Sequence, residues 1–358
     1  MSSFPADWLD LREPVDAASR NPVSTAELLA WRQTHDRLSV LDLGSGTGAN
    51  CRYLAPLLGG QQHWVLIDHD PALMARGQEL LGRWAGKQPS NLNLEWRRLD
   101  LALDWEQLDL PDVHLVTASA LLDLVSAAWL ERLASRCRKW RTAVFVTLSY
   151  DGTTSWEPIL ERDENLRERI NRHQRTDKGF GPALGPDASA TLAIVLRKLG
   201  YQVTLRPSPW RLGPAHAALQ TTLLEGWLAA ARQIDPGADS ELDDWAIRRR
   251  RLIERGTSWL HVGHWDLFAW LKHDVPAESD CPLPQGDFQT ASSASKPPAP
   301  CGDVTINDVD ATACASPELN PARDTAGTVL GIWPAPPDSD RPIPQSARSA
   351  QSPRAVDR

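Results

Sequence analysis

Short apolar runs alternate with longer amphipathic stretches along the first three quarters of the chain. Residues 40–43 form an apolar run that ends in glycine, the pattern of a strand buried on both faces of a parallel sheet. A helix is predicted from Gly48 to about residue 58, and a second strand over 64–67. Asp70 as N-cap and Pro71 at the first position open a helix over 71–84. Strands follow over 92–97, 113–118 and 143–148, with a helix over 126–139. Short connections between alternating strands and helices predict a doubly wound parallel sheet with helices on both faces.

Beyond the fifth strand the pattern predicts a charged helix over 156–175, a glycine-proline loop over 179–186 and a helix ending at 199. A strand over 201–206, helices over 214–234 and 241–255, and a last strand over 259–271 complete the series. The first 37 residues read as helical, with Leu9, Leu11, Val15, Leu28 and Leu29 as apolar contacts. A segment in that place can cover the ligand site of an open sheet or simply pack beside it. After residue 274 the periodicity stops, and half of the 28 prolines lie there. Such a segment buries too little apolar area to offset its chain entropy, so residues 275–358 are expected to be a disordered tail. Its one apolar island, 329–333, reads either as a docking peptide or as an incidental patch. The expected organisation is a helical cap segment over 1–37, one α/β domain over 38–274 with an insert at about 151–190, and the tail.

The formal charge of −8 on 358 residues argues against a dedicated nucleic-acid partner, because phosphate backbones attract basic surfaces. No apolar run reaches the roughly 18 residues that span a bilayer, so no membrane partner is expected. The N-terminus has no apolar signal region, and the five cysteines show no CxxC spacing. These features predict a cytoplasmic protein in a reducing compartment. The sixteen tryptophans are spread along the chain, which suits core packing.

The candidate chemistry lies at the first strand-to-helix junction, Val40-Leu41-Asp42-Leu43-Gly44-Ser45-Gly46-Thr47-Gly48-Ala49. Glycines there allow a tight turn and close backbone approach to a ligand, and the following helix presents free N–H groups. Asp68, at the end of the second strand, stands where a carboxylate can accept hydrogen bonds from two ribose hydroxyls. The loop also satisfies a loose dinucleotide pattern, so a nicotinamide oxidoreductase competes. Asp42 separates the two, since a buried carboxylate repels a pyrophosphate and attracts a ligand bearing ammonium and sulfonium groups.

The glycine run, with Ile67-Asp68-His69-Asp70-Pro71 downstream, resembles the motifs of the class I S-adenosylmethionine-dependent methyltransferases. The resemblance covers residues 36–150 well and the chain to about 272 by layout. It implies a Rossmann-like seven-stranded sheet whose last strand is antiparallel. It implies S-adenosylmethionine as cofactor, with Asp42, Gly44, Ser45, Gly46, Thr47 and Gly48 around the methionine part. Asp68 would hold the ribose, His69 would lie near the adenine, and Asp100 beside Leu101 would meet the adenine amino group. Residues 117–123, including Ser119, match the segment beside the reacting methyl.

On the acceptor side, Asp123 is a candidate for positioning or proton removal, or an N-cap of the next helix. The insert supplies His173 as a candidate base and Asn171 and Gln174 as candidate substrate contacts, or as solvent-facing helix residues. Trp210 and Arg211, after the sixth strand, could close the same cavity. His261 and His264 lie three apart on a strand, on opposite faces, so no metal site is expected. No Asp/Asn-Pro-Pro-Tyr motif follows the fourth strand and no Pro-Cys motif is present, which disfavours nucleic-acid bases as acceptors. The expectation is methyl transfer to a small molecule by in-line displacement. The alternatives are a non-catalytic cofactor-binding scaffold and a nicotinamide oxidoreductase.

Overall fold

The computed structural model describes residues 5–85, 91–108, 110, 112–235 and 239–272. Its strands are β1 (Arg37–Leu43), β2 (Gln61–Asp68), β3 (Leu92–Arg98), β4 (Leu115–Ser119), β5 (Ala143–Glu157), β6 (Tyr201–Pro207), β7 (Trp210–Leu212) and β8 (Trp259–Leu271). They form one sheet in the order β3-β2-β1-β4-β5-β8-β6, with β7 paired to β8. Strands β1 to β5 run parallel to one another. Strand β8 runs antiparallel between β5 and β6. The doubly wound sheet with an antiparallel last strand is therefore present.

The helices are α1 (Ala6–Ser19), α2 (Pro22–Arg32), α3 (Ala49–Leu58), α4 (Pro71–Ala85), α5 (Ala127–Trp140), α6 (Asp163–Gln174), α7 (Ala188–Lys198), α8 (Ala217–Ile234) and α9 (Asp239–Glu254). Local signals set their starts. Asp70 Oδ1 accepts the Ala72 N–H at 2.8 Å at the head of α4, and Ser126 Oγ accepts the Trp129 N–H at 3.3 Å at the head of α5. Each satisfies an amide that a helix start leaves without a partner.

Alternate side chains of the parallel strands point to opposite faces, and each face has its own core. Leu41, Leu43, Val65 and Ile67 pack with Leu130 and Leu133 of α5 and Leu192 and Leu196 of α7. Val40, Trp64 and Leu66 pack with Leu28 and Trp31 of α2, Leu54 of α3 and Leu81 of α4. A third core holds Trp8 of α1 together with Trp156, Trp210, Trp227 and Trp245. Among the described residues nine tryptophans are buried, in keeping with their reading as packing residues.

Three elements differ from expectation. The fifth strand does not stop at 148 but runs to Glu157, where it pairs with the first half of β8. Two register shifts and Gly152, at φ +89°, bend this extension, and its interrupted pattern hides it as a strand. The charged helix consequently starts at Asp163, and Trp156 is a strand residue. Strand β7 is an eighth strand, three residues long between Pro209 and Gly213, too short for periodicity to mark. The expected tail, with its island at 329–333, lies outside the described residues.

Candidate functional site

The glycine loop joins β1 to α3 at the C-terminal edge of the parallel strands, where open α/β sheets bind ligands. Gly44, Gly46 and Gly48 have φ of +63°, +54° and +79°, the left-handed region that L side chains rarely adopt. This geometry aims the Gly46 N–H at Asp68 Oδ2, 2.8 Å away. Asp68 Oδ1 accepts the Asp70 N–H at 3.0 Å and lies 3.4 Å from His69 Nδ1. That contact with Asp68 raises the affinity of His69 for its proton. Each Asp68 oxygen keeps acceptor capacity beyond these bonds.

Asp42, at the end of β1, is buried and accepts the Asn50 amide at 2.8 Å through Oδ1. Its Oδ2 has no hydrogen-bond partner among the described residues, and neither do Ser45 Oγ and Thr47 Oγ1. Burial pushes the Asp42 carboxyl up to about 7, opposed by the Asn50 bond and by the charge of Arg20. A buried carboxyl with one oxygen unused is a site for a cationic donor group.

These residues line one cavity of about 450 Å³. Asp42, Gly44, Ser45, Gly46, Thr47, Asp68, His69, Leu101 and Ser119 all face it. Gly48 stands just behind, as the N-cap of α3. Asp100 is not in the wall: its Oδ1 accepts the Ala102 N–H at 2.8 Å, and Leu99 and Leu101 form the surface on either side of it. Helix α1 roofs the cavity. A Cβ on Gly46 would lie 3.1 Å from Leu9 Cδ1, so the helix sits directly on the loop. Glu13 of α1 takes Arg52 of α3 in a two-bond ion pair of 2.8 and 2.5 Å. Asp266 fixes the α1–α2 corner by accepting the Asn21 N–H at 2.8 Å, while its other oxygen accepts the Leu148 N–H at 2.9 Å.

The opposite end is formed by the tip of β4, the turn after it and the loop after α6. Ala120 adopts a φ of +52° there, strained backbone of the kind that clusters at functional sites. Lys178 and Phe180 supply the wall. Lys178 Nζ donates to His173 O at 2.9 Å and Thr176 Oγ1 at 2.7 Å, and burial lowers its ammonium to about 8.

Several acceptor-side candidates sit behind this wall. Asp123 is buried on the turn Leu122–Leu124, not at the N-cap of α5, and its Oδ2 accepts the Gln174 amide at 3.1 Å. Burial raises its carboxyl. His173 is sealed from solvent, 2.9 Å from Gln233 Oε1, and burial holds its imidazole down at about 4. Asn171 bonds the Tyr150 hydroxyl and the Gly152 carbonyl, both at 2.9 Å. Trp210 is fully buried and donates to Asp16 Oδ1 at 3.0 Å, so it supports the roof from beneath. Arg211 projects to solvent from β7. Thus Asp123, His173, Asn171, Gln174, Trp210 and Arg211 are not among the residues that line the cavity; of the six, Trp210 is packed in the third core.

Sequence reasoning missed Arg20, Asn50 and Lys178. A lysine set between Asp177 and Gly179 in a glycine-rich loop was the available signal for Lys178. Arg20 and Asn50 carry no local signal; only the fold brings them to Asp42, Ser119 and Thr147.

Residues 40–142 match the model of a methyltransferase-domain family. No sequence among the curated proteins matches the chain. Among solved structures, the chain is similar to a SAM-dependent methyltransferase from Thiobacillus denitrificans in complex with S-adenosyl-L-homocysteine. The identity is 15%, the TM-score 0.37, and the match covers 74% of this chain and 99% of that one. It is similar to a SAM-dependent methyltransferase from Geobacter sulfurreducens at 16% identity and TM-score 0.36, covering 70% and 91%. The cyclopropane synthase MmaA2 from Mycobacterium tuberculosis matches at 15% identity and TM-score 0.37, covering 68% and 83%. The glycine loop, the two strand-end acids and the strand order thus lie in or around a segment, residues 40–142, that matches a methyltransferase-domain family.

Proposed function

We propose that the chain binds S-adenosylmethionine in the cavity under α1 and transfers its methyl group to a small-molecule acceptor. The observation that carries this is the pair of acids across one cavity: Asp42 with an unused buried oxygen, and Asp68 held by the Gly46 N–H. Asp42 suits the ammonium of the methionine part and Asp68 the ribose hydroxyls. Leu73, Leu99 and Leu101 offer an apolar slot for the adenine, beside His69. Ser45, Thr47 and Ser119 offer hydroxyls along the same wall.

The cofactor supplies an activated methyl group, so the protein's work is alignment and exclusion of water. Helix α1 covers the loop, and Leu121, Leu124 and Phe180 keep the far end apolar. Lys178, its ammonium near 8, is placed to hold or accept a proton at that end. Asp123 and His173 act through it: His173 lends its carbonyl to Nζ, and the charge of Asp123 offsets part of the desolvation.

The test is turnover with methyl-labelled S-adenosylmethionine and a small-molecule extract. Label should appear in the small-molecule fraction. Label that stays on the cofactor, or moves only to protein or nucleic acid, contradicts the reading.

A further inference from the structure

Arg20, at the C-terminal end of α1, faces the cavity and is 7% exposed. Its guanidinium has five N–H donors. Three are used, on Thr147 Oγ1, on Asn50 Oδ1 at 3.0 Å and on Ser119 Oγ at 3.2 Å. All three acceptors are neutral, and Nε has no partner among the described residues. Tyr53 covers the flat side, 5.1 Å from the guanidinium carbon.

The carboxylates that surround Arg20 bond other groups, though Asp42 keeps one oxygen unused. Asp266 accepts from Asn21, Leu148 and Ser208. Asp16 is paired with Arg12 at 2.8 Å and bonded by Trp210. Asp42 takes Asn50. No ion pair to Arg20 forms among the described residues. Buried cations are ordinarily paired, because removing a charge from water is expensive without a counter-charge. Helix α1 nevertheless delivers this one to the end of β4 and to Thr147 within β5, and Asp266 locks the corner that carries it.

We infer that Arg20, with Ser119 beside it, is a carboxylate-binding subsite that a ligand completes. The cation comes from the N-terminal segment, outside the matched residues 40–142, so α1 is part of the binding site and not only its cover. The inference rests on the cofactor reading of this cavity. The carboxylate belongs either to the amino-acid end of the cofactor or to the acceptor, and guanidinium takes both in the same two-bond geometry.

Calorimetric titrations of the full-length wild type, Arg20→Gln and Arg20→Lys separate the cases. The probes are S-adenosylhomocysteine and 5′-methylthioadenosine, which keeps the thioether and nucleoside but lacks the amino acid. A cofactor carboxylate at Arg20 predicts at least a tenfold loss of S-adenosylhomocysteine affinity in Arg20→Gln. Affinity for 5′-methylthioadenosine stays within twofold, and Arg20→Lys recovers part of the loss. An acceptor carboxylate predicts equal S-adenosylhomocysteine affinity in both proteins, and uptake of formate or benzoate by the loaded wild type but not by loaded Arg20→Gln. Equal affinity with no Arg20-dependent carboxylate uptake overturns the subsite. So does loss of 5′-methylthioadenosine binding in Arg20→Gln, which marks a purely structural residue. A wild type that binds neither nucleoside overturns the methyltransferase reading and this inference with it.

Discussion

Substituting Gly46 tests how the glycine loop and Asp68 depend on each other. Gly46 sits at φ +54°, and its N–H reaches Asp68 Oδ2 at 2.8 Å only in that conformation. Holding an L side chain there costs roughly 1–2 kcal/mol. The new Cβ would meet only the tip of Leu9, at 3.1 Å, which can shift. Releasing the turn instead gives up a hydrogen bond to a carboxylate, worth about 1.5–3 kcal/mol. For Gly46→Ala the strained turn is the cheaper option. That variant should unfold in urea with an unchanged slope, lose about 1–2 kcal/mol, and still bind S-adenosylhomocysteine. For Gly46→Val the β-branched side chain makes the turn still less favourable, so the loop opens and Asp68 loses its donor. A fold with stability of about 5–15 kcal/mol survives this, but ligand affinity does not. Tryptophan-fluorescence unfolding and calorimetric titration read the two effects separately. A Gly46→Val protein with wild-type stability and affinity would refute the reasoning.

The same quantities can be checked elsewhere in the site. Asp68→Ala removes two ribose hydrogen bonds of roughly 1.5–3 kcal/mol each, so affinity for S-adenosylhomocysteine should fall at least about a hundredfold while unfolding stays cooperative; near-normal affinity would remove Asp68 from the site. Glu13→Gln breaks the partly exposed pair with Arg52 that fastens α1, worth at most about 1 kcal/mol; affinity should drop a few-fold at low salt and match the wild type at 1 M, and a salt-independent difference would contradict a charge effect. Burial holds His264 down at about 3 against an ordinary 6.5, so its contribution to stability is complete above 6.5 and is lost as pH falls towards the folded value. Between pH 8 and 5 the wild type should therefore lose about 2 kcal/mol more than His264→Phe, and parallel stability curves would show that His264 is not buried neutral.

The parts of the fold legible in the sequence are those whose signals are local. The run 40–48 marks its own strand, turn and helix start, because the turn needs glycines and the buried strand needs apolar residues on both faces. Asp70 and Ser126 announce their helices by capping them. Asp42 and Asp68 follow from their positions at strand ends, which register alone fixes. The acceptor side is not local. Whether His173 and Asp123 meet a ligand depends on how far β5 continues, and that depends on pairing with β8 more than a hundred residues away. Trp210 and Arg211 looked like cavity residues because a three-residue strand leaves no period to read. Arg20 looks like an ordinary charge at a helix end until Asn50, Ser119 and Thr147 are brought around it.

The central claim is that the paired acids and the glycine loop hold S-adenosylmethionine. The most direct measurement is calorimetric titration of the purified chain with S-adenosylhomocysteine and, separately, with NAD. One molecule of S-adenosylhomocysteine should bind per chain, with no heat from NAD. Binding of NAD with no response to S-adenosylhomocysteine would contradict the account.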